Sequence, residues 1–314
     1  MQIGLIPQEQ RAKMLRYLWI VLVCTMGLSA QNKSFSFLKP SDTLHKLRRN
    51  GVVLATSGLA ATTLVGLNQL WYSDYPKSDF HFVNDNNEWL QMDKAGHFLS
   101  CYHISRLSAQ SMAWSGVSKK KQLYFGASAA LAFMTVIEVF DGYSAEWGAS
   151  WGDVFANTTG TALYVGQELL WNEQRIVPKF SFHQTYFASQ RPNVLGSSWN
   201  EQILKDYNGQ TYWLSFNLYD FTKEKTFPKW LNVALGYGAT GMVSGYNENS
   251  QLLNLPSYQR NRQFYLSLDI NLQKIPTKNR VLQTLFSAFN FLKIPAPTLE
   301  YQASGNWKGH WIYY

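Results

Sequence analysis

Apolar and polar positions divide the chain into two unlike stretches. From Gly51 to Tyr72 there is no Asp, Glu, Lys or Arg, a run long enough to cross a hydrocarbon core as a helix. Within it Ser57/Ala61 and Gly58/Thr62 place small residues four apart, a spacing that favours close packing against other helices. Three further helical runs follow: about Asp93 to Trp114, interrupted by Arg106; Lys121 to Phe140, uncharged from Gln122 to Ile137; and Asp153 to Trp171, uncharged from Val154 to Gln167. Beyond about Phe180 the period changes to two. Aromatic-rich alternating segments at Thr211–Asp220, Leu231–Thr240 and Gln263–Leu272 are separated by Lys, Pro, Gly and Asn turns and predict strands. In the last of them Phe264, Leu266, Leu268, Ile270 and Leu272 share one face, and Tyr265, Ser267, Asp269 and Asn271 the other. The segment Val281–Leu292, ending before Pro295 and Pro297, predicts one amphipathic helix that interrupts any strand series and argues against a complete eight-strand barrel.

The expected fold class is therefore α+β. Residues 51–175 form an N-terminal four-helix, membrane-associated bundle, and residues 176–314 an antiparallel β-rich region with one amphipathic helix. Ahead of these, residues 1–30 have the layout of a signal peptide: Arg11, Lys13 and Arg16, an apolar run from Leu18 to Met26, then Gly27, Ser29 and Ala30. Cleavage is expected after Ala30, with an uncleaved anchor as the alternative; Val23 is a poor neighbour for lipidation of Cys24. Residues 31–50 form a basic linker. Basic groups flank the bundle, with Arg48/Arg49 before it, Lys119–Lys121 in the second connection and Arg175/Lys179 after it. The first and third connections are acidic. The positive-inside rule then puts both bundle ends in the cytoplasm, whereas a cleaved signal exports the start of the bundle, so the choice between inner and outer membrane stays open.

Composition sharpens this picture. Only 15% of the 314 residues are charged and 16% are aromatic, which points to a membrane or envelope surface. The mean hydropathy of −0.23 argues against a chain made mostly of transmembrane helices. The formal charge of +8 breaks into short clusters with no basic stripe, so nucleic acid is excluded as a partner. Membrane lipid or another envelope protein is expected instead, with oligomeric state open. Two cysteines, Cys24 and Cys101, cannot build a disulfide scaffold or a cysteine-based zinc site.

The candidate chemistry lies at helix ends in the first half. Asp93 and His97 are four apart and share a helix face, with Lys94 beside them. Glu138 closes an uncharged run three residues before Asp141, and Asp153 and Asn157 are again four apart, with Gly160 near the same face. Charges at the ends of such apolar helices are costly unless paired or wetted, so they mark a functional site or a structural polar cluster. One arrangement makes His97 an acid/base with Glu138 or Asp153 as candidate catalytic partners, or lets the group hold a divalent metal; no other cofactor is expected. In the other, Asp93 caps its helix, Lys94 pairs with Glu138 or Asp153, and His97 bonds Asn157. There is no Gly-x-Ser-x-Gly elbow and no phosphate-binding loop.

The series Asp93-Lys94-Ala95-Gly96-His97-Phe98, Glu138 with Asp141-Gly142, then Trp151-Gly152-Asp153 with Asn157 and Gly160 resembles the YfiM-like family of uncharacterised bacterial envelope proteins, over roughly residues 68–172. More remotely the order is similar to the VanZ-like membrane proteins, although Asp141-Gly142 stands where a Gln and an Arg are usual. These resemblances imply an exported envelope protein and bring no mechanism. The expected function is a non-enzymatic, membrane-associated scaffold or partner-binding protein of the cell envelope; the alternative is an enzyme acting on a lipid or peptidoglycan precursor through His97 with Glu138 or Asp153.

Overall fold

A computed structural model describes residues 38–73, 75–224, 226–246, 254–256 and 258–314. The expected signal segment, Cys24 included, and residues 31–37 of the linker lie outside these residues. The chain divides into two units, Met1–Lys39 and Pro40–Tyr314, and all the elements below belong to the second.

The fold is α+β, as expected. Helix α1 (Lys46–Leu67) starts at His45, whose Nδ1 accepts the Arg48 amide, and runs into a single π-helical turn, Asn68–Tyr72. Helices α2 (Met92–Trp114), α3 (Lys119–Gly142) and α4 (Trp151–Leu170) correspond to the other three apolar runs. The four do not pack equally. α2, α3 and α4 are in close mutual contact. A Cβ on Gly126 of α3 would lie 2.5 Å from the Ser105 carbonyl oxygen of α2, and one on Gly160 of α4 2.2 Å from that of Phe98. These glycines let the backbones touch. α1 buries only Val52, against Met112 and Val117, and leaves Leu47, Leu54, Leu59 and Val65 exposed. The packed core is thus three helices with a fourth laid against one end.

Two short parallel strands, β1 (Phe82–Val83) and β2 (Ala149–Ser150), tie the α1–α2 connection to the α3–α4 connection through the pairs Phe82↔Ala149 and Val83↔Ser150. Six further strands form an antiparallel meander: β3 (Ile176–Phe182), β4 (Gln210–Asn217), β5 (Leu231–Thr240), β6 (Asn261–Ile270), β7 (Ala296–Gln302) and β8 (Trp307–Tyr313). The first expected strand ends early, because Leu218–Thr222 is a helical turn capped by Asn217. The expected amphipathic helix is α5 (Arg280–Phe289). After it, Phe291–Lys293 pairs with the outer edge of β3: the Phe180 amide donates to the Phe291 carbonyl (2.8 Å) and the Lys293 amide to that of Phe180 (2.9 Å). The lead-in to β7 therefore curls the sheet back towards its first strand.

The two faces of this sheet reverse the usual arrangement. On the enclosed side Lys179 and Asp269, both with side chains 0% exposed, form a 2.8 Å ion pair. Ser215 donates to the same carboxylate (2.6 Å), Asn217 and Asn232 bond each other (2.7 Å), and Lys293 lies over the Trp213 ring at 5.0 Å. Trp213, Tyr265 and Tyr313 fill the remaining space. The alternate residues Leu235, Leu266, Leu268 and Leu299 point outward and are exposed. Satisfied polar groups can be buried at little net cost, and here they form the interior.

Candidate functional site

Three helix ends and one strand junction meet at the site. The β1–β2 pairing brings Asp85 beside Ser150. Ser150 caps α4, its Oγ accepting the Gly152 (3.1 Å) and Asp153 (3.3 Å) amides, and donates to Asp85. α2 supplies Asp93, Lys94 and His97, α3 Glu138 and Asp141, and α4 Asp153 and Asn157.

The turn that launches α2 is unusual. Trp89, Leu90 and Gln91 have φ of 46°, 51° and 63°, three consecutive non-glycine residues in the left-handed region, each costing about 1–2 kcal/mol. The sheet holds them there. Tyr237 of β5 donates to the Leu90 carbonyl, Arg262 of β6 donates to Gln91 Oε1 (2.8 Å), and the Trp89 amide donates to the Gly245 carbonyl (3.0 Å). Met92 is packed with Ala239 and Met242. The β region thereby fixes where Asp93, Lys94 and His97 stand.

Lys94 is the hub of one half of the cluster. Its ammonium donates to Asp85, lies 2.9 Å from Asp153 Oδ1 and 3.0 Å from Oδ2, and reaches Asp93 at 3.4 Å. One cation thus faces three carboxylates. Burial, reinforced by the Asp93 charge, pushes the Asp153 carboxyl up to about 9 in spite of Lys94. Burial also works against ionisation of Asp93, but His97, Lys94 and the Tyr207 hydroxyl (2.8 Å) outweigh it and hold Asp93 below the usual carboxylate range.

His97 is the hub of the other half. Its Nδ1 lies 3.1 Å from Asn157 Oδ1 and 3.4 Å from Glu138 Oε1, and Nε2 lies 3.7 Å from Asp93 Oδ1. Glu138 is itself fixed by the Ser150 amide (3.1 Å). Nδ1 thus faces two acceptors, and Nε2 faces the Asp93 carboxylate. That side opens into a cavity of about 630 Å³. Its polar wall carries Asp85, Asp93, His97, Asp141 and Asp153, with His81, Glu88 and Glu146 around them; its apolar wall carries Leu67, Trp71, Leu99, Phe133, Ile137 and Leu204.

All seven residues expected from sequence therefore gather around this one place, although Asp141 is held apart from the others by the Tyr72 hydroxyl (2.7 Å), and Glu138 and Asn157 stand behind His97, not on the cavity wall. Lys94 pairs with Asp153, not Glu138, and His97 bonds Asn157, as the structural arrangement has it. Asp93 does not cap α2: it lies inside the first turn and bonds Tyr207. Asp85, Ser150 and Tyr207 complete the site. The first two could have been suspected from their place in the acidic connections, whereas Tyr207 carries no sequence signal. Asp93, His97 and Asp153 offer donor atoms within 4.8 Å of one another, a spacing that suits a divalent cation, but the Lys94 ammonium already sits among those carboxylates and supplies the positive charge. Cys101, 3.5 Å from Asn157 Oδ1, is fully buried, and burial pushes its thiol up to about 12, which removes it as a nucleophile.

Fold and site together define an α+β protein with a charged pocket between a helical layer and a curled sheet. Residues 80–167 match the sequence model of a family described as "Predicted periplasmic lipoprotein (DUF2279)". No curated protein and no solved structure matches the chain. The matched stretch contains Asp85 and all seven expected site residues, ends before β3, and supports an exported envelope protein. The word lipoprotein runs against the expectation that Cys24 is not lipidated; Cys24 lies outside the matched residues.

Proposed function

We propose that the chain is a membrane-associated envelope enzyme performing acid–base chemistry on an amphiphilic substrate, such as a lipid or a lipid-linked peptidoglycan precursor, with His97 as the proton-transferring group. The observation that carries this reading is the divided cavity, in which His97 lines the same space as an apolar wall. A pocket with one charged side and one greasy side suits a ligand with a polar head and a hydrocarbon chain. Nε2 takes a proton from a water that attacks an ester or phosphoester centre of the substrate, and the bond to the leaving oxygen breaks as the new one forms. Glu138 and Asn157 bond Nδ1 and stabilise the imidazolium that results, which returns the proton from Nε2 to the leaving oxygen. Membrane association is supported by the exposed apolar length of α1 and by Phe155, Leu169 and Leu170 on α4.

The test is replacement of the chain in its own cells by His97→Gln, with envelope lipid extracts compared by mass spectrometry. One lipid or lipid-linked species should accumulate, with turnover lowered about 10²–10⁴-fold and the melting temperature little changed. Unchanged lipids at unchanged protein level would overturn the reading.

The second reading is a non-enzymatic scaffold or partner-binding protein. It is favoured by the full pairing of Lys94 with Asp85, Asp93 and Asp153, since such a cluster also works as a structural clamp. It predicts that His97→Gln changes no lipid species while Lys94→Ala destabilises the fold.

A further inference from the structure

The outward face of the sheet is built in layers. Cross-strand pairing sets Leu235, Leu266 and Leu299 in one row, ending at Gly309 of β8. The neighbouring row on the same face is Tyr237, Phe264, Tyr301 and Trp307, four aromatic residues on four adjacent strands. Ring centroids are 5.7 Å apart for Tyr237 and Phe264, and 4.8 Å for Tyr301 and Trp307. One step further along the strands the chain becomes polar, with Arg262 on β6 and the Ser304-Gly305-Asn306 turn between β7 and β8. On the other side of the leucine row come Val233, Leu268 and Trp311, the last 91% exposed.

We propose that the outer face of β5–β8 lies in the hydrocarbon of a lipid membrane, with the Phe264–Tyr301–Trp307 row at the boundary between acyl chains and headgroups. The inference rests on the membrane association of the helical half and extends it to the sheet. Three observations select lipid as the occupant. The polarity of the sheet is reversed, with the Lys179–Asp269 pair sealed inside and leucines outside, the arrangement of a wall whose solvent is hydrocarbon. The aromatic residues form a level row between aliphatic and polar zones, as interfacial rings do in membranes; a protein-binding patch has no need of such a level. β5 and β6 are each 10 residues long, the length of strands that cross a bilayer when tilted.

The face is continuous with the helical layer. Phe98 and Leu99 of α2 meet Leu214, Leu235 and Tyr237 around a cleft of about 260 Å³, so apolar surface runs from the helices onto the sheet without a polar break at that seam.

The experiment uses the full chain carrying Cys24→Ser, reconstituted in vesicles of phosphatidylethanolamine and phosphatidylglycerol. Buried Cys101 is left in place, and single nitroxide labels are attached at Leu266→Cys, Leu54→Cys and Asn306→Cys. All three positions are solvent-facing, so folding is spared. The Leu266 label should lose collisions with a water-soluble nickel chelate while keeping those with oxygen, as should the Leu54 label on α1, and the Asn306 label should keep both. A nickel-accessible Leu266 label beside a protected Leu54 label would overturn the sheet proposal and leave the membrane reading standing. Nickel access at both would remove the two together. A Leu266 label shielded from nickel and oxygen alike, with chains cross-linking through that position, would assign the face to a second copy of the protein and equally overturn the proposal.

Discussion

Two regions of this molecule bury charge, and they do so to opposite ends. Inside the sheet Lys179, Asp269 and Lys293 are closed off: each finds carbonyls, hydroxyls or a counter-charge, and the space between them is filled by Trp213, Tyr265 and Tyr313. At the helix ends Asp93, Lys94, His97 and Asp153 are also paired, yet Asp93, His97 and Asp153 line a cavity with room for a ligand. Buried charge alone therefore does not mark a site. What distinguishes the helical cluster is the combination of an open cavity, three carboxylates around one ammonium, and an imidazole on the cavity wall.

The sharpest way to break this comparison is Asp269→Ala. It strands Lys179 in a dry interior and should cost about 3–5 kcal/mol, read as a lower midpoint in denaturant; a neutral result would show that the sheet interior is wet. Next in size is an acid effect at the junction of the two regions. Burial, helped by the Arg106 charge, pushes His103 down to about 3. Its Nε2–H donates to the Pro178 carbonyl at 2.7 Å, while Nδ1 accepts from Arg106 at 3.4 Å. Its neutral form is the folded one, so the unfolded chain binds the extra proton. The associated stability is complete above an ordinary histidine pKa of about 6.5 and is lost as pH falls towards 3, with a slope of up to about 1.4 kcal/mol per pH unit. Denaturation midpoints at pH 7, 6, 5 and 4 check this, and His103→Gln should flatten the slope.

Gly160→Val follows. A Cβ there meets the Phe98 carbonyl oxygen at 2.2 Å, and forcing α2 and α4 apart should cost about 1–3 kcal/mol while leaving the sheet interior intact, as near-ultraviolet circular dichroism of Trp213 and its neighbours would register. The smallest stability effect is expected where the functional effect is largest. His97→Gln keeps a polar, similarly sized group against Asn157 and should stay within about 1 kcal/mol of the parent, in contrast to its consequence for envelope lipids.

The helices were legible from sequence because long uncharged runs have few other outcomes, and the site residues because ionisable groups at the ends of such runs are conspicuous. The sheet was legible only in part. Period two separates the faces of β6 correctly, Phe264, Leu266 and Leu268 from Tyr265, Ser267 and Asp269, but it carries no sign saying which face turns inward. That depended on the curl that brings Phe291–Lys293 back to β3. β3 itself escaped notice because Pro178 and Lys179 interrupt its apolar pattern, and both are accommodated: the Pro178 carbonyl serves His103, and Lys179 serves Asp269. The bond from Tyr207 to Asp93 spans a distance along the chain that no local pattern encodes.

The left-handed turn Trp89–Gln91 has a consequence for the order of assembly. Its conformation is uphill for an isolated chain, and the groups that hold it, Tyr237, Arg262 and the Gly245 carbonyl, are synthesised long after it. Residues 80–167 carry nearly every reacting side chain but not the clamp. The helices can therefore form early, while the pocket acquires its final geometry only when β5 and β6 dock, and newly made chains pass through an interval in which they are helical and still without a formed pocket.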